Sequence, residues 1–497
     1  MKNNKIDMDK LTDLYEFTMS QVDFNEGNLE EENYFEVFYR SNMDQGGYSI
    51  AGGLEEIIDF VENFHFSKED IAYLRSLNKF SEAFLNYLSK LKFTGSIEAV
   101  PDGTVIFPNE PILKIKANKI EAKLIETDLL VRFNHGSLIT TRARRIVDEA
   151  KGRPVLEFGA RRAHNKEAAI VGAKYAYIGG CVGTSCYGTG FRYGVPILGT
   201  MAHCLIQELG EYEAFLAYAK TYPEDCVLLV DTIDTLKSGV PNAIRVAKEF
   251  LIPNGYRLKG IRLDSGDLAY LSIEARKLLD EAGLTDATIC ASNSLTEYLI
   301  RDLLEQGAKL DTFGVGENLI TSKNSPVFGG VYKLAATQVE NHMEPRIKLS
   351  NNVGKVTNPG MKNVYRLYDK ATKKAIGDVL TLDTETIGEN GYTMITGDTE
   401  LDYQKLTNYE VRKLHVPIFK DGELVYQKPT AQESREYCER EVNTVANETR
   451  RIVNPTPYPV SLSKDLLMLK RKMILDGKAK AQNQAETKGK TKAYGII

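Results

Sequence analysis

Several short runs in the middle of this chain end in residues that can bind an anion, hold a diol or move a proton. EFGARRAH (157–164) carries Arg161 and Arg162 just past an apolar stretch. A guanidinium fork grips carboxylate or phosphate through two parallel hydrogen bonds, although a solvated arginine pair is the commoner use of such a dipeptide. LLVDTIDTLKSG (228–239) ends in Asp231 and Asp234, and GIRLDSGDL (260–268) sets Arg262, Asp264 and Asp267 around a Ser-Gly turn. Two carboxylates three residues apart can hold a ribose diol or Mg²⁺, and an arginine beside them can neutralise an anion. An aspartate there can equally cap the following helix, and the two uses are compatible. ASNSL (291–295) and FGVGEN (313–318) place Asn293, Gly314 and Gly316 where backbone N–H groups at helix starts can cradle a phosphate. YGVPILGTMAHCL (193–205) puts His203, one of six histidines, directly after an apolar run and a Gly-Thr. No second histidine, cysteine or glutamate stands at metal spacing, which argues against a metal ligand. A packed core histidine and a general base or nucleophile stay open on the residues alone, with the polar run ends around it disfavouring the core.

The elements that must position these residues repeat one rhythm from Arg153 to about Ala336. Apolar runs (PVLEFG, YAYIGG, VPILGT, CVLLVDT, LKGIRLDSG, ATICASN and LDTFGVG) alternate with helical stretches such as AYLSIEARKLLDEAG. Strand, loop and helix in repetition predict parallel strands with crossover helices, and so many strands in this length suit a closed or nearly closed barrel. In such folds the C-terminal strand ends form the active edge, which is where the polar residues fall. Before this region, GLEEIIDFVENF has helical spacing and SIEAVPDGTVIFPNEPILKIKA reads as strands broken by turns. After it, KVTNPGMKNVYRLYD and KKAIGDVLTLD are strand-like and SKDLLMLKRKMI is helical. The expected division is an α+β domain over 1–148, an α/β barrel over 149–336, a smaller mixed domain over 337–476 and a polar, disordered tail over 477–497.

Bulk properties exclude some functions. At 497 residues the chain needs two or three domains, or a barrel with additions. A net charge of −5 offers no basic excess for nucleic acid. The N-terminus shows no secretory signal and no apolar run approaches a membrane span. The cysteines are scattered without a C-x-x-C pair, so they read as buried small hydrophobes in a reducing cytoplasm.

Taken in order, LTDLYEFTM, EFGARRAH, GTS, VPILGTMAH, LVDTIDT, RLDSGD, FGVG and GGVYKL resemble the nicotinate phosphoribosyltransferase family over nearly the whole chain. The resemblance implies the irregular (β/α) barrel of the type II phosphoribosyltransferases, with an N-terminal α+β domain and a smaller C-terminal mixed domain. It implies synthesis of nicotinate mononucleotide and diphosphate from nicotinate and phosphoribosyl pyrophosphate (PRPP), coupled to ATP hydrolysis, at the entry to NAD salvage. Mg²⁺ would travel with PRPP and ATP, near Asp231 and Asp234, rather than in a fixed protein site. A cytoplasmic homodimer with shared active sites is implied, with no nucleic-acid or membrane partner. His203 falls at the position phosphorylated by ATP, with Asp231 and Asp264 as the catalytic carboxylates and Asp264 at the ribose hydroxyls. Tyr15 would stack on the pyridine ring from the partner subunit and Phe158 would cover its other face. Thr200, Arg262 and Arg161 match nicotinate-facing positions. Ser185 stands where a nicotinamide-using relative has an acidic residue, so a carboxylate ligand is expected here. Asn293, Gly314, Gly316 and Glu317 fall at the phosphate.

The chain departs from the family pattern at Cys186, Cys204 and Glu317. A carboxylate facing a phosphate would repel it, so Glu317 is expected to point away or to meet a cation. A nicotinamide- or quinolinate-specific transferase is the alternative within the enzymes. A non-catalytic metabolite-binding protein on the same fold is a third reading, and retention of His203, Arg262 and Asp264 together argues against it.

Overall fold

Short apolar runs capped by glycine or aspartate build a parallel sheet in the computed structural model, which describes residues 11–27, 29–350, 352–389, 391–395 and 403–493. Among these, the strands Gly183–Thr184, Val155–Glu157, Thr312–Val315, Thr288–Ala291, Gly260–Leu263 and Val227–Leu229 lie side by side in that order. All neighbours are parallel. Parallel strands cannot be joined by a tight turn, and the helices Lys166–Ile178, Val240–Val246, Leu268–Glu281 and Glu297–Glu305 lie in the connections. Ile289, Cys290 and Ala291, like Phe313, Gly314 and Val315, are buried in succession, the pattern of strands covered on both faces. The two edge strands are not paired with each other. Residues 195–203 span from one to the other: Ile197 forms a parallel bridge with Thr184, and His203 reaches Thr232, just past the 227–229 strand. The result is an irregular α/β barrel, as the sequence implied.

Two expected strands differ. YAYIGG lies at the end of the Lys166–Ile178 helix, closed by the Gly179 N–H on the Tyr175 and Tyr177 carbonyls. Tyr175, Ala176, Tyr177 and Ile178 are all buried, and a short apolar run buried all round does not distinguish helix from strand. VPILGT is extended but forms no regular strand, with residues 196–199 exposed. The edge strand lies in the preceding Gly183–Thr184 instead.

The chain folds as two compact units, 135–327 with 429–439, and 1–134 with 328–428 and 440–497. The second unit holds an antiparallel sheet ordered His342–Pro345, Val331–Val339, Glu32–Phe38, Leu113–Asn118, Ser96–Ala99, Val416–Lys420 and Glu423–Leu424. Strands from the two ends of the chain therefore share one sheet, which differs from the expected separation of 1–148 from 337–476. Each terminal segment covers edges that the other would leave unpaired. The later segment also keeps a sheet of its own, Tyr409–Lys413, Lys362–Asp369, Ala375–Leu382 and Val460–Leu462. GLEEIIDFVENF forms the Leu54–Glu62 helix with Leu54, Ile57, Ile58 and Val61 buried. The turn residue Asp102 accepts from the Leu54 N–H at 2.9 Å.

The expected disordered tail is helical as far as Ala493, continuing the helix from Lys464. Its Ala, Lys, Gln and Glu residues are strong helix formers even though they cannot build a core. Residues 494–497 of that expectation lie outside the described residues. Among the described residues no helix is long and apolar enough to cross a membrane.

Candidate active site

Arg262 is the centre of the polar cluster at the strand ends. Its Nε donates to Ser292 Oγ at 2.8 Å, one terminal nitrogen to Thr200 Oγ1 at 3.1 Å and the other to Asp264 Oδ1 at 2.9 Å. These bonds engage three of the five donors that a guanidinium carries. The Phe158 ring centroid lies 5.5 Å from the guanidinium carbon, within cation–π range. Gly314 makes room for that ring, because a Cβ there would stand 2.6 Å from it. Ser292 Oγ also donates to Asp264 Oδ1, so one hydroxyl fixes both members of the Arg262–Asp264 pair. Burial alone would raise the Asp264 pKa. The Ser292 hydrogen bond and the Arg262 charge outweigh it and hold the carboxyl below the ordinary aspartate range.

His203 opens the His203–Leu209 helix. Its Nδ1 lies 2.9 Å from Thr232 Oγ1 and its Nε2 3.7 Å from Asp264 Oδ2. Asp231 Oδ2 accepts from the Asp264 N–H at 2.8 Å and the Ser265 hydroxyl at 2.6 Å. Its Oδ1 is buried and has no hydrogen-bond partner. An orphaned carboxylate oxygen of this kind fits a cation, but the described residues contain no group of three or more metal-ligating side chains. Asp234 caps the following turn through Oδ1, accepting from the Leu236 and Lys237 N–H groups, while its Oδ2 lies 3.7 Å from Lys237 Nζ. Asp267 likewise caps the Leu268–Glu281 helix through the Tyr270 N–H.

The two glycine- and asparagine-bearing loops lie together. Asn293 and Ser294 both adopt positive φ, 80° and 52°. Asn318 Nδ2 ties their loop to the one after Gly316 by donating to the Ser294 and Leu295 carbonyls at 2.8 and 3.1 Å. Gly316 caps the short Glu317–Ile320 helix. The Glu317 carboxylate meets Lys323 at 2.7 Å and Arg162 at 3.9 Å. Its pKa is lowered, chiefly by the Lys323 hydrogen bond.

The structure thus joins Phe158, Thr200, His203, Asp231, Arg262 and Asp264 in one bonded cluster, with Gly314 beneath Phe158. The Arg161 and Ser185 side chains are exposed. The Ser185 N–H donates to the Glu157 carbonyl. Cys186 is half-buried, its N–H on Thr184 Oγ1, and Cys204 is exposed. Tyr15 belongs to the other unit, on the Leu14–Glu26 helix, and is 45% exposed.

Ser292, Thr232 and Glu157 were not singled out in the sequence, and Ser265 was read only as a turn residue. Glu157 is fully buried and accepts from Thr184 Oγ1 at 2.5 Å and from the Gly159 N–H. Burial raises its pKa. Each of these residues directly flanks a motif residue, and adjacency to the polar strand ends was the available signal.

The chain is similar to known proteins over nearly its whole length. Residues 11–134, 154–383 and 361–470 match, in turn, the nicotinate phosphoribosyltransferase N-terminal domain, family and C-terminal domain. A nicotinate phosphoribosyltransferase of Bacillus subtilis is 43% identical over 479 residues, covering 96% of this chain and 97% of its own. One from Dictyostelium discoideum is 37% identical, covering 94% and 88%. The crystal structure of human nicotinic acid phosphoribosyltransferase superposes with a TM-score of 0.80 at 27% identity, over 93% of this chain and 100% of that one. A nicotinate-nucleotide pyrophosphorylase from Pyrococcus furiosus shares the fold at a TM-score of 0.67, with 23% identity over 89% of this chain and 97% of that one.

Proposed function

The chain belongs to the nicotinate phosphoribosyltransferase family, and on that premise we propose that it joins nicotinate to PRPP, giving nicotinate mononucleotide and diphosphate, with ATP hydrolysed to ADP and phosphate. The observation that carries this reading is Arg262. Two of its donors are left over on a guanidinium held from behind and flanked by an aromatic ring. A pyridine carboxylate can place its anion on that fork and its ring against Phe158. Thr200 and Arg161 line the same substrate. A neutral Ser185 can donate to a carboxylate. Tyr15 of a partner subunit would close the other face of the ring in a homodimer.

In the transfer, the bond from the anomeric carbon to diphosphate breaks, the electron pair leaves with diphosphate, and the pyridine nitrogen forms the new bond. That nitrogen is already nucleophilic and needs no base, so catalysis is mainly positioning. The sugar gains positive charge as the bond breaks. Asp264, held ionised by Ser292 and Arg262, stands ready to stabilise it and to hold the ribose hydroxyls. Asp231, whose Oδ1 is buried without a partner, would hold the Mg²⁺ carried by PRPP and ATP, which would offset the charge of the leaving group. Asn293, Gly314 and Gly316 offer their loops to the 5′-phosphate.

His203 is the acceptor of the ATP γ-phosphoryl group. With Nε2–H facing Asp264, the Nδ1 lone pair is the nucleophile once Thr232 yields it. The phosphohistidine adds negative charge beside the PRPP site, organising it, and water later releases the phosphate. The protein would work in the cytoplasm, supplying NAD from nicotinate.

Turnover of nicotinate, nicotinamide and quinolinate with PRPP tests the reading. Nicotinate is expected to be used best, and no turnover of it overturns the assignment in favour of the other pyridines or of a binding protein. γ-Labelled ATP is expected to give acid-labile, base-stable label that disappears in His203→Ala. Equal label in both proteins would remove the phosphohistidine.

A further inference from the structure

Behind the two loops assigned to the 5′-phosphate lies a charged cluster that the reaction does not use. Arg142, on the Glu126–Glu149 helix, is fully buried. It donates from one terminal nitrogen to Glu297 Oε1 at 2.5 Å and from Nε to Ser322 Oγ at 3.1 Å. Arg145 Nε reaches the same Glu297 oxygen at 3.0 Å. Glu297 is the first residue of the helix that follows Asn293 and Ser294, and Ser322 comes just after the helix that follows Gly316. One guanidinium therefore holds the far ends of both loops.

The loops need holding. Asn293, Ser294 and Ser322 all sit at positive φ, 80°, 52° and 44°. Residues without the freedom of glycine stay in that region only where their surroundings fix them, and such strain gathers at ligand sites. On the solvent side, Asn318 uses its amide to bond the Ser294 and Leu295 carbonyls. Arg142 and Asn318 thus act on the same pair of loops from opposite sides. Three charges meet beneath the loops, two positive and one negative.

We propose that Arg142 and Asn318 are positioning residues that hold the Asn293 and Gly316 loops in register for a sugar phosphate, Arg142 from beneath and Asn318 from above. The proposal rests on the reading of these loops as the phosphate cradle. Neither residue needs to touch substrate, so their removal should weaken phosphate binding selectively.

The test is steady-state kinetics of the full-length protein carrying Arg142→Met, Arg142→Lys, Ser322→Ala or Asn318→Ala. Arg142→Met should raise the KM for PRPP about tenfold or more while the KM for nicotinate changes less than about twofold. Arg142→Lys keeps the charge but not the fork, and should lie between Met and wild type. Asn318→Ala removes the solvent-side bonds and Ser322→Ala removes the Arg142 Nε acceptor while Glu297 still pairs the charge, and each should raise the PRPP KM about threefold or more. They decide the matter if Arg142→Met does not fold. An unchanged PRPP KM in the folded variants overturns the proposal, as does an equal rise in both KM values. Protection by ribose 5-phosphate, read as a Tm shift, is measured on the same proteins. Wild type that turns over no pyridine would defeat the functional reading. Loss of ribose 5-phosphate protection in the variants would still support the positioning role, and undiminished protection would overturn it.

Discussion

Two arginine–aspartate pairs in this protein have the same chemistry and opposite settings. Arg366 and Asp378 face each other across neighbouring strands and are both fully buried. The guanidinium reaches both carboxylate oxygens, Nε at 2.9 and 3.2 Å and a terminal nitrogen at 2.6 Å. The Tyr458 hydroxyl adds a bond at 2.8 Å. The rings of Phe107 and Tyr458, stacked on each other, lie 5.3 and 5.9 Å from the guanidinium, which is fully buried. Arg262 and Asp264 are also paired and hydrogen-bonded, but Asp264 keeps 28% exposure and Arg262 keeps two donors. Arg366 also has donors to spare, since its other terminal nitrogen has no hydrogen-bond partner and approaches Glu441 only at 3.6 Å, but in a fully buried site the pair is framework. A pair with capacity left over at a rim can take a ligand.

The largest expected effects separate the pairs directly. Arg262→Ala and Asp264→Asn should each lower kcat/KM for nicotinate mononucleotide formation by on the order of 10³-fold, about 4 kcal/mol, with Tm within a few degrees of wild type. Asp378→Asn should do the reverse. It leaves a buried guanidinium without its hydrogen-bonded carboxylate, with only Glu441 at 3.6 Å to offset the charge, and loses about 3 kcal/mol or more of stability in denaturant titration. The protein that still folds should keep near-wild-type KM values. If Asp378→Asn lost activity with its stability intact, or Asp264→Asn unfolded the protein, the distinction between rim and core would fail.

This contrast also explains how much could be read beforehand. The rim was legible because the polar residues of a parallel barrel follow its strands in chain order, so Asp231, Arg262, Asp264, Asn293 and Gly316 announced themselves locally. Ser292 and Thr232 were not legible as partners, because their bonds to Arg262 and His203 cross 30 and 29 residues. The Arg366–Glu441 approach at 3.6 Å and the shared sheet of the two chain ends depend on still longer separations. YAYIGG misled because apolar content reports burial, and burial alone does not choose between strand and helix, whereas VPILGT misled because its apolar residues 196–199 are exposed.

A third carboxylate sharpens the comparison through pH. Glu16 is fully buried, like Asp378, but has no arginine. It accepts from the Thr127 N–H and hydroxyl, while Oε2 has no partner. Burial pushes its pKa up to about 7, against the lowering effect of Thr127. The folded state therefore keeps a proton that the unfolded chain has already released. This contribution to stability is complete below the ordinary glutamate pKa and is lost as pH rises through about 7. Glu16→Gln should flatten the decline in stability between pH 5 and 8, measured by denaturant titration. Asp264 has the opposite sign. Its lowered pKa adds stability above the ordinary aspartate range and loses it as pH falls through the folded value. Asp264→Asn should therefore flatten only the acid limb. Parallel profiles for the two variants would contradict these assignments.

The smallest expected effect concerns the carboxylate that stands beside the proposed phosphate site. Glu317 follows Gly316 directly, and an uncovered negative charge there would oppose a phosphate. Lys323 at 2.7 Å and Arg162 at 3.9 Å supply the compensation. All three side chains are substantially exposed, so solvent screens the pair and its effect on binding should stay within about fivefold. The sign is more telling than the size. Lys323→Ala uncovers the carboxylate and should raise the PRPP KM by about two- to fivefold, while Glu317→Gln should leave it unchanged or slightly lower. In the double variant the KM should return close to that of Glu317→Gln, because the lysine matters only while there is a charge to cover. A double variant no better than Lys323→Ala would instead mean that Lys323 meets the phosphate itself, and that the Glu317–Lys323 pair is part of the binding surface rather than a neutralised neighbour of it.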